Sequence, residues 1–185
     1  MDQTEELYCG EHLRLNKRRG WEYVDRVEVG GVIAVLPLTE QGDFIFIEQY
    51  REPLEQRIIE IPAGLMGDEG RSEDSLEAAV LRELEEETGY TSDELYYLTM
   101  GPSSAGLTTE VVTYFMAMNC RKVAAGGGVG NEDIQLHVVP ALDAANWLHQ
   151  KEEEGMLVDS KIYTTLYFWL MDNLAEEEDA DSDFN

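Results

Sequence analysis

Ser72–Tyr90 reads SEDSLEAAVLRELEEETGY, and the fold follows from what this stretch must be. Leu76, Ala79, Val80 and Leu84 recur at helical spacing, acids crowd the first turn, and Thr88-Gly89 supplies a stop. The segment is a helix with one buried face. Its other face carries Glu83, Glu86 and Glu87 at i, i+3 and i+4, so three carboxylates stack within one turn. Each such like-charged pair destabilises a helix by roughly a few tenths of a kcal/mol. On spacing alone two readings stand level. The run is a charged solvent face relieved by Arg82, or it gathers hard oxygen donors for a divalent cation such as Mg²⁺ or Mn²⁺. Glu85 points away and is solvated.

Working outward, Asp74 is positioned to cap this helix, with Glu77 completing a capping box. Strand-like segments surround it at Val32–Leu36, Phe44–Gln49, Arg57–Ile61, Leu95–Thr99, Val111–Met118 and Ile134–Val139. Gln41-Gly42-Asp43 reads as a hairpin turn between the first two. Gly126-Gly127-Gly128, with Gly130 after it, predicts a mobile loop between two strands. Leu142–His149 and Leu157–Leu174 read as helices, the latter repeating Ile162, Leu166, Trp169 and Leu170 on one face. Antiparallel-linked strands interrupted by one strong helix and closed by two more predict an α/β fold, a mixed sheet sandwiched between helices. No repeat or linker divides the chain, so residues 1–175 are expected to form one domain. Residues 176–185 carry six acids and no base and are expected to be a flexible tail.

The 185 residues include 13 Lys plus Arg against 39 Asp plus Glu, a formal charge of −26. Such a surface repels phosphate backbones and anionic lipid, and the one basic run is Lys17-Arg18-Arg19. Nucleic acid and membrane are therefore not expected partners. With 43% of residues hydrophobic, the chain can bury a substantial core. Cys9 and Cys120 are too few for a disulfide framework, and Cys120 beside an apolar strand reads as core. His12, His137 and His149 are scattered and form no ligand set. The start is acidic, unlike a secretory signal, and no apolar stretch approaches the ~20 residues that span a bilayer. These features predict a cytoplasmic protein with reduced thiols.

Arg82-Glu83-Leu84-Glu85-Glu86-Glu87-Thr88-Gly89-Tyr90 resembles the second half of the Nudix hydrolase box, R-E-U-x-E-E-x-G-U with U apolar, at every fixed position. The first half departs. Its opening glycine corresponds to Gly64, the Gly64–Arg82 interval is four residues longer than the family pattern, and Asp74 stands where the family has glutamate. The extra residues fall in 67–72. The resemblance implies a Nudix α/β/α sandwich with a mixed central sheet and an N-terminal antiparallel strand region. It also implies a metal set of Glu83, Glu86 and Glu87 holding Mg²⁺ or Mn²⁺, with Arg82 and Glu86 among the catalytic residues.

Ile47-Glu48-Gln49-Tyr50-Arg51 and Glu60-Ile61-Pro62-Ala63-Gly64-Leu65 resemble the ADP-ribose and nucleoside-diphosphate-sugar pyrophosphatase branch. There the residue matching Arg51 contacts substrate phosphate and the carbonyl matching Ala63 joins the metal shell; a surface salt bridge is the other reading of Arg51. Trp21-Glu22-Tyr23-Val24-Asp25-Arg26 resembles the branch's N-terminal strand, which implies substrate-binding roles for Trp21, Glu22 and Arg26 and a homodimer built through residues 1–30. Trp21 reads either as a base-stacking platform or as a core or interface anchor. Ser104–Glu110 resembles a substrate loop, with Ala105 where ADP-ribose members commonly carry proline. Glu132, after the glycine run, is implied as catalytic base and metal ligand, with Asp133 the second candidate; some relatives carry a further glutamate where Gly130 stands. The implied activity is metal-dependent hydrolysis of the pyrophosphate bond of a small nucleotide sugar, ADP-ribose or a relative such as GDP-mannose. The alternatives are a catalytically degenerate ligand-binding regulator and a Nudix hydrolase of nucleoside triphosphates or dinucleoside polyphosphates.

Overall fold

Val32-Ile33-Ala34-Val35-Leu36 and Phe44-Ile45-Phe46-Ile47 are unbroken apolar runs, the pattern of strands covered on both faces. They are the central strands of the computed structural model, which describes residues 3–27, 29–66, 75–130 and 132–182. A three-stranded antiparallel sheet comes first, made of β1 (Glu5–Cys9), β2 (Leu13–Arg18) and β3 (Trp21–Arg26) in that order. The main body follows as β4 (Gly31–Thr39), β5 (Asp43–Arg51), β6 (Gln56–Glu60), β7 (Ala63–Met66), α1 (Leu76–Thr88), β8 (Tyr90–Thr91), β9 (Glu94–Pro102), β10 (Val111–Lys122), β11 (Ile134–Pro140), α2 (Ala144–Glu153), β12 (Leu157–Val158) and α3 (Ser160–Ser182). β4 runs parallel to β10 and antiparallel to β7, while β5 pairs antiparallel with β6 and β11, so the sheet is mixed.

Alternate residues of the central strands feed two cores. Ala34, Leu36, Phe44 and Phe46 pack with Ile59, Leu148 and Ile162 on the α2–α3 side. Ile33, Val35 and Ile45 pack with Val80, Leu84, Phe115 and Cys120 on the α1 side. Helices thus cover both faces, as the sandwich reading expects. The apolar side of α1 is the predicted one, and truncating a side chain as enclosed as Leu84 costs about 2–5 kcal/mol.

Boundaries differ from the sequence reading in informative places. Leu157-Val158 is a strand beside β6, not the first turn of a helix. Asp159 then starts α3, its Oδ1 accepting from the Lys161 amide at 2.7 Å. Ser75, not Asp74, caps α1, its Oγ accepting from the Ala78 amide at 3.2 Å. Asp74, the lengthened segment 67–72 and residues 183–185 of the expected tail lie outside the described residues.

The glycine run is anchored rather than loose. Helix carbonyls at a C-terminus lack partners within the helix, and here the run supplies them: Gly127 N–H donates to Glu87 O at 2.8 Å and Gly128 N–H to Glu86 O at 2.9 Å. Gly126 has φ +72°, and a Cβ there would stand 2.3 Å from the Thr88 carbonyl carbon, so the approach requires glycine.

Candidate active site

The α1 glutamates do not behave as one solvated face. Glu85 is exposed, whereas Glu87 is 4% exposed, because it continues the buried stripe of Val80 and Leu84. Glu87 Oε2 accepts from the Ala63 amide at 3.1 Å, tying the helix to β7. Burial pushes the Glu87 carboxyl well above the usual carboxylate range; the Ala63 N–H opposes this and nearby Glu83 and Glu132 reinforce it. Burial likewise raises Glu83 in spite of Arg82, with Glu86 and Glu132 adding to the shift. Glu83 crosses directly over Gly64: a Cβ on residue 64 would lie 2.0 Å from the Glu83 carboxyl carbon. Arg82 Nη1 reaches Glu83 Oε1 at 2.6 Å and Glu86 Oε2 at 3.5 Å.

These residues line a cleft of about 770 Å³ together with Ala63, Glu132, Arg51 and Arg26. β5 and β6 deliver Arg51 across an antiparallel register, and its Nε donates to Glu60 Oε2 at 2.7 Å. Arg26 Nε donates to Glu110 Oε2 at 2.6 Å. The first turn of α3 closes one wall with Ser160, Lys161 and Thr164. Glu132 enters from the loop before β11, its Oε2 accepting from the Val129 amide at 2.8 Å.

Two expected substrate contacts stand apart from this cleft. Trp21 is 62% exposed on the N-terminal sheet, its Nε1–H donating to Gly106 O at 2.9 Å, and Glu22 lies 3.9 Å from Lys17. The exposure removes the core-anchor reading of Trp21. Asp133 does not line the cleft and pairs with Arg57 at 2.8 Å. Sequence reasoning did not single out Glu60, Glu110, Asp159 or Lys161. Glu60, adjacent to the Ile61–Leu65 stretch, carried a signal, since a buried acid in a strand demands a cation.

The donor chemistry fits a hard divalent cation. All candidate groups are oxygens, they are mutually repulsive as they stand, and Gly64 leaves the space that Glu83 fills. Among the described residues, no three acidic, histidine or cysteine side chains are already gathered to hold an ion. The same residues hold no helix long and apolar enough to cross a membrane.

Comparison with known proteins agrees with this geometry. The chain is 31% identical over 172 residues to a methanol dehydrogenase activator of Bacillus methanolicus, covering 86% of this chain and 85% of that protein. It is 35% identical over 175 residues to an ADP-sugar pyrophosphatase of Mus musculus, covering 88% and 74% respectively. A crystal structure of an ADP compounds hydrolase superposes with a TM-score of 0.62 at 18% identity, over 78% of this chain and 80% of that one, which speaks to the fold. A family model described as the NUDIX domain matches residues 29–159, a span that takes in the anchored glutamate helix, the Gly64 crossing and the glycine-pinned loop, and the chain belongs to the Nudix hydrolase family.

Proposed function

We propose that this protein hydrolyses the pyrophosphate bond of a nucleoside diphosphate sugar, giving a nucleoside monophosphate and a sugar phosphate. The observation that carries the reading is that Glu83, Glu86, Glu87, Glu132 and Ala63 line one cleft that also holds Arg51 and Arg26. The similarity to a protein named ADP-sugar pyrophosphatase supports the substrate class. Nudix hydrolases generally use a divalent metal, and here those five groups would hold Mg²⁺ or Mn²⁺, which when bound supplies charge neutralisation and Lewis acidity at the diphosphate. Arg51, steadied by Glu60, presents a guanidinium to phosphate oxygens, and Arg26, steadied by Glu110, does so from β3. Glu132 accepts a proton from the attacking water as oxygen bonds to one phosphorus and the bridging P–O bond breaks. Arg82 orients Glu83 and Glu86. Exposed Leu7, Tyr8, Leu13 and Trp21 on the N-terminal sheet support a homodimer built through that region, to be checked by sedimentation. The acidity supports a cytoplasmic protein that binds neither nucleic acid nor membrane.

The test is product release from ADP-ribose, GDP-mannose, other nucleotide sugars, diadenosine polyphosphates and ATP, with Mg²⁺ and then with EDTA. Nucleoside monophosphate formed from the sugars, and abolished by EDTA, is the expected result. A second reading, a ligand-binding regulator, is favoured by the similarity to a protein named an activator. Folded protein that binds nucleotide sugars without turning any over would establish it instead.

A further inference from the structure

Glu132 sits on the loop between β10 and β11, and both ends of that loop are tied down, by different means. At its start the Val123 and Ala124 amides donate to the Gly89 carbonyl, and further along the Gly127 and Gly128 amides cap α1. At its end Arg57 of β6, which does not line the cleft, grips Asp133. Arg57 Nη1 donates to Asp133 Oδ2 at 2.8 Å and Nη2 to the Asp133 carbonyl at 3.0 Å. The same guanidinium is held to β5 through Nε to Glu48 Oε1 at 2.5 Å and Nη2 to the Glu48 carbonyl at 3.0 Å. Glu48 is fixed in turn, its Oε2 lying 2.9 Å from His137 Nε2 on β11. Arg57 therefore spans two strands and the residue that follows Glu132. Asp133, held through both its side chain and its carbonyl, fixes the chain immediately after Glu132, whose own side chain lines the cleft.

We propose that Arg57 is a positioning residue for hydrolysis, clamping the backbone and side chain of Asp133 so that Glu132 is held facing the α1 carboxylates. The proposal rests on the reading of Glu132 as proton acceptor. It also explains why Asp133, though adjacent, does not serve as that acceptor, since its carboxylate and carbonyl are both engaged by Arg57. Lysine cannot replace Arg57, since one ammonium cannot reproduce a planar fork that grips two carbonyls and two carboxylates at once.

The test compares Arg57→Lys, Asp133→Asn, Glu132→Gln and the double variant Arg57→Lys/Glu132→Gln. Arg121→Gln breaks a similar surface pair, Arg121–Asp93 at 2.8 Å, outside the cleft and serves as control. With Mg²⁺ and the best nucleotide sugar, Arg57→Lys should lower kcat about tenfold to a hundredfold with KM within about twofold. Asp133→Asn keeps the carbonyl contact and should lose less, and Arg121→Gln should lose nothing. In the Glu132→Gln background, Arg57→Lys should cost little more, because it acts through the group already removed. Hydrogen exchange on metal-free protein gives a readout independent of activity: amides of Val129 and Glu132 should exchange faster in Arg57→Lys, with α1 protection unchanged. Unchanged kcat, or a loss that multiplies with that of Glu132→Gln, overturns the proposal. If Arg57→Lys does not fold, Asp133→Asn carries the same comparison alone. Absence of turnover in the unsubstituted protein would sink the hydrolase reading, and unchanged exchange at Val129 and Glu132 would separately sink the clamp.

Discussion

At the scale of single residues, Glu87 is where stability and function pull apart. It is 4% exposed, its carboxyl is pushed far up by burial, and a hydrogen bond from Ala63 offsets part of that cost. An uncompensated buried carboxylate destabilises a fold, and its retention makes sense if a cation neutralises it. Glu87→Gln keeps the shape and the acceptor for Ala63 while removing the charge. The metal-free variant should melt no lower than the parent, and by calorimetry higher at neutral pH. Its Mg²⁺-dependent turnover should fall at least about a hundredfold, since several kcal/mol of transition-state stabilisation depend on the ligand set. A lower melting temperature with turnover retained would make Glu87 a structural residue and remove it from the site.

At the scale of elements, the α1 terminus and the β5–β6–β11 ladder make separate predictions. Gly126→Ala meets both a left-handed φ and a Cβ 2.3 Å from the Thr88 carbonyl carbon, so it should destabilise by more than about 2 kcal/mol in urea unfolding. Gly130→Ala, at φ +63° with open space around it, should cost only about 1 kcal/mol. Equal losses would mean that the loop does not pack on the helix. In the ladder, burial disfavours the Glu48 carboxylate, but hydrogen bonds from His137 and Arg57 outweigh it and hold its carboxyl below the ordinary glutamate value. The unfolded chain then takes up the proton more readily than the folded one. This stabilisation is present above the ordinary pKa and is lost as pH falls through the folded value. Glu48→Gln should flatten the acid limb of the stability curve below about pH 5; an unchanged slope would place the acid sensitivity elsewhere. The long strands and α1 were legible because their apolar periodicity is strong. β7 was missed because Ala63-Gly64 lacks strand character and is recruited by β4. The stacking of Glu83, Glu86 and Glu87 within one turn was legible from spacing, whereas Arg57–Asp133 and Arg26–Glu110 join residues some 80 positions apart, and no local pattern announces such pairs.

At the scale of the whole molecule, a net charge of −26 sets the approach of any anionic substrate. The cleft does not reverse that field. Among the described residues seven acids line it against four bases, and each of those bases is already partnered: Arg26 with Glu110, Arg51 with Glu60, Arg82 with Glu83 and Lys161 with Asp159. Enzymes that steer anions with a positive field lose kcat/KM as salt rises. This protein should do the opposite for a nucleotide sugar at saturating Mg²⁺. Raising ionic strength shortens the Debye length from about 30 Å at 0.01 M to about 8 Å at 0.15 M, which hides the distant acids while leaving contacts inside the cleft nearly intact. Steady-state kinetics across that range should show kcat/KM rising a few-fold, with the gain in KM and kcat unchanged. A steep fall would show that the four cleft cations, despite their partners, dominate what the substrate feels. A rise assigns the long-range field to the distant acids and leaves attraction to act at contact distance, where on the proposed function Arg51, Arg26 and a divalent ion would meet the diphosphate.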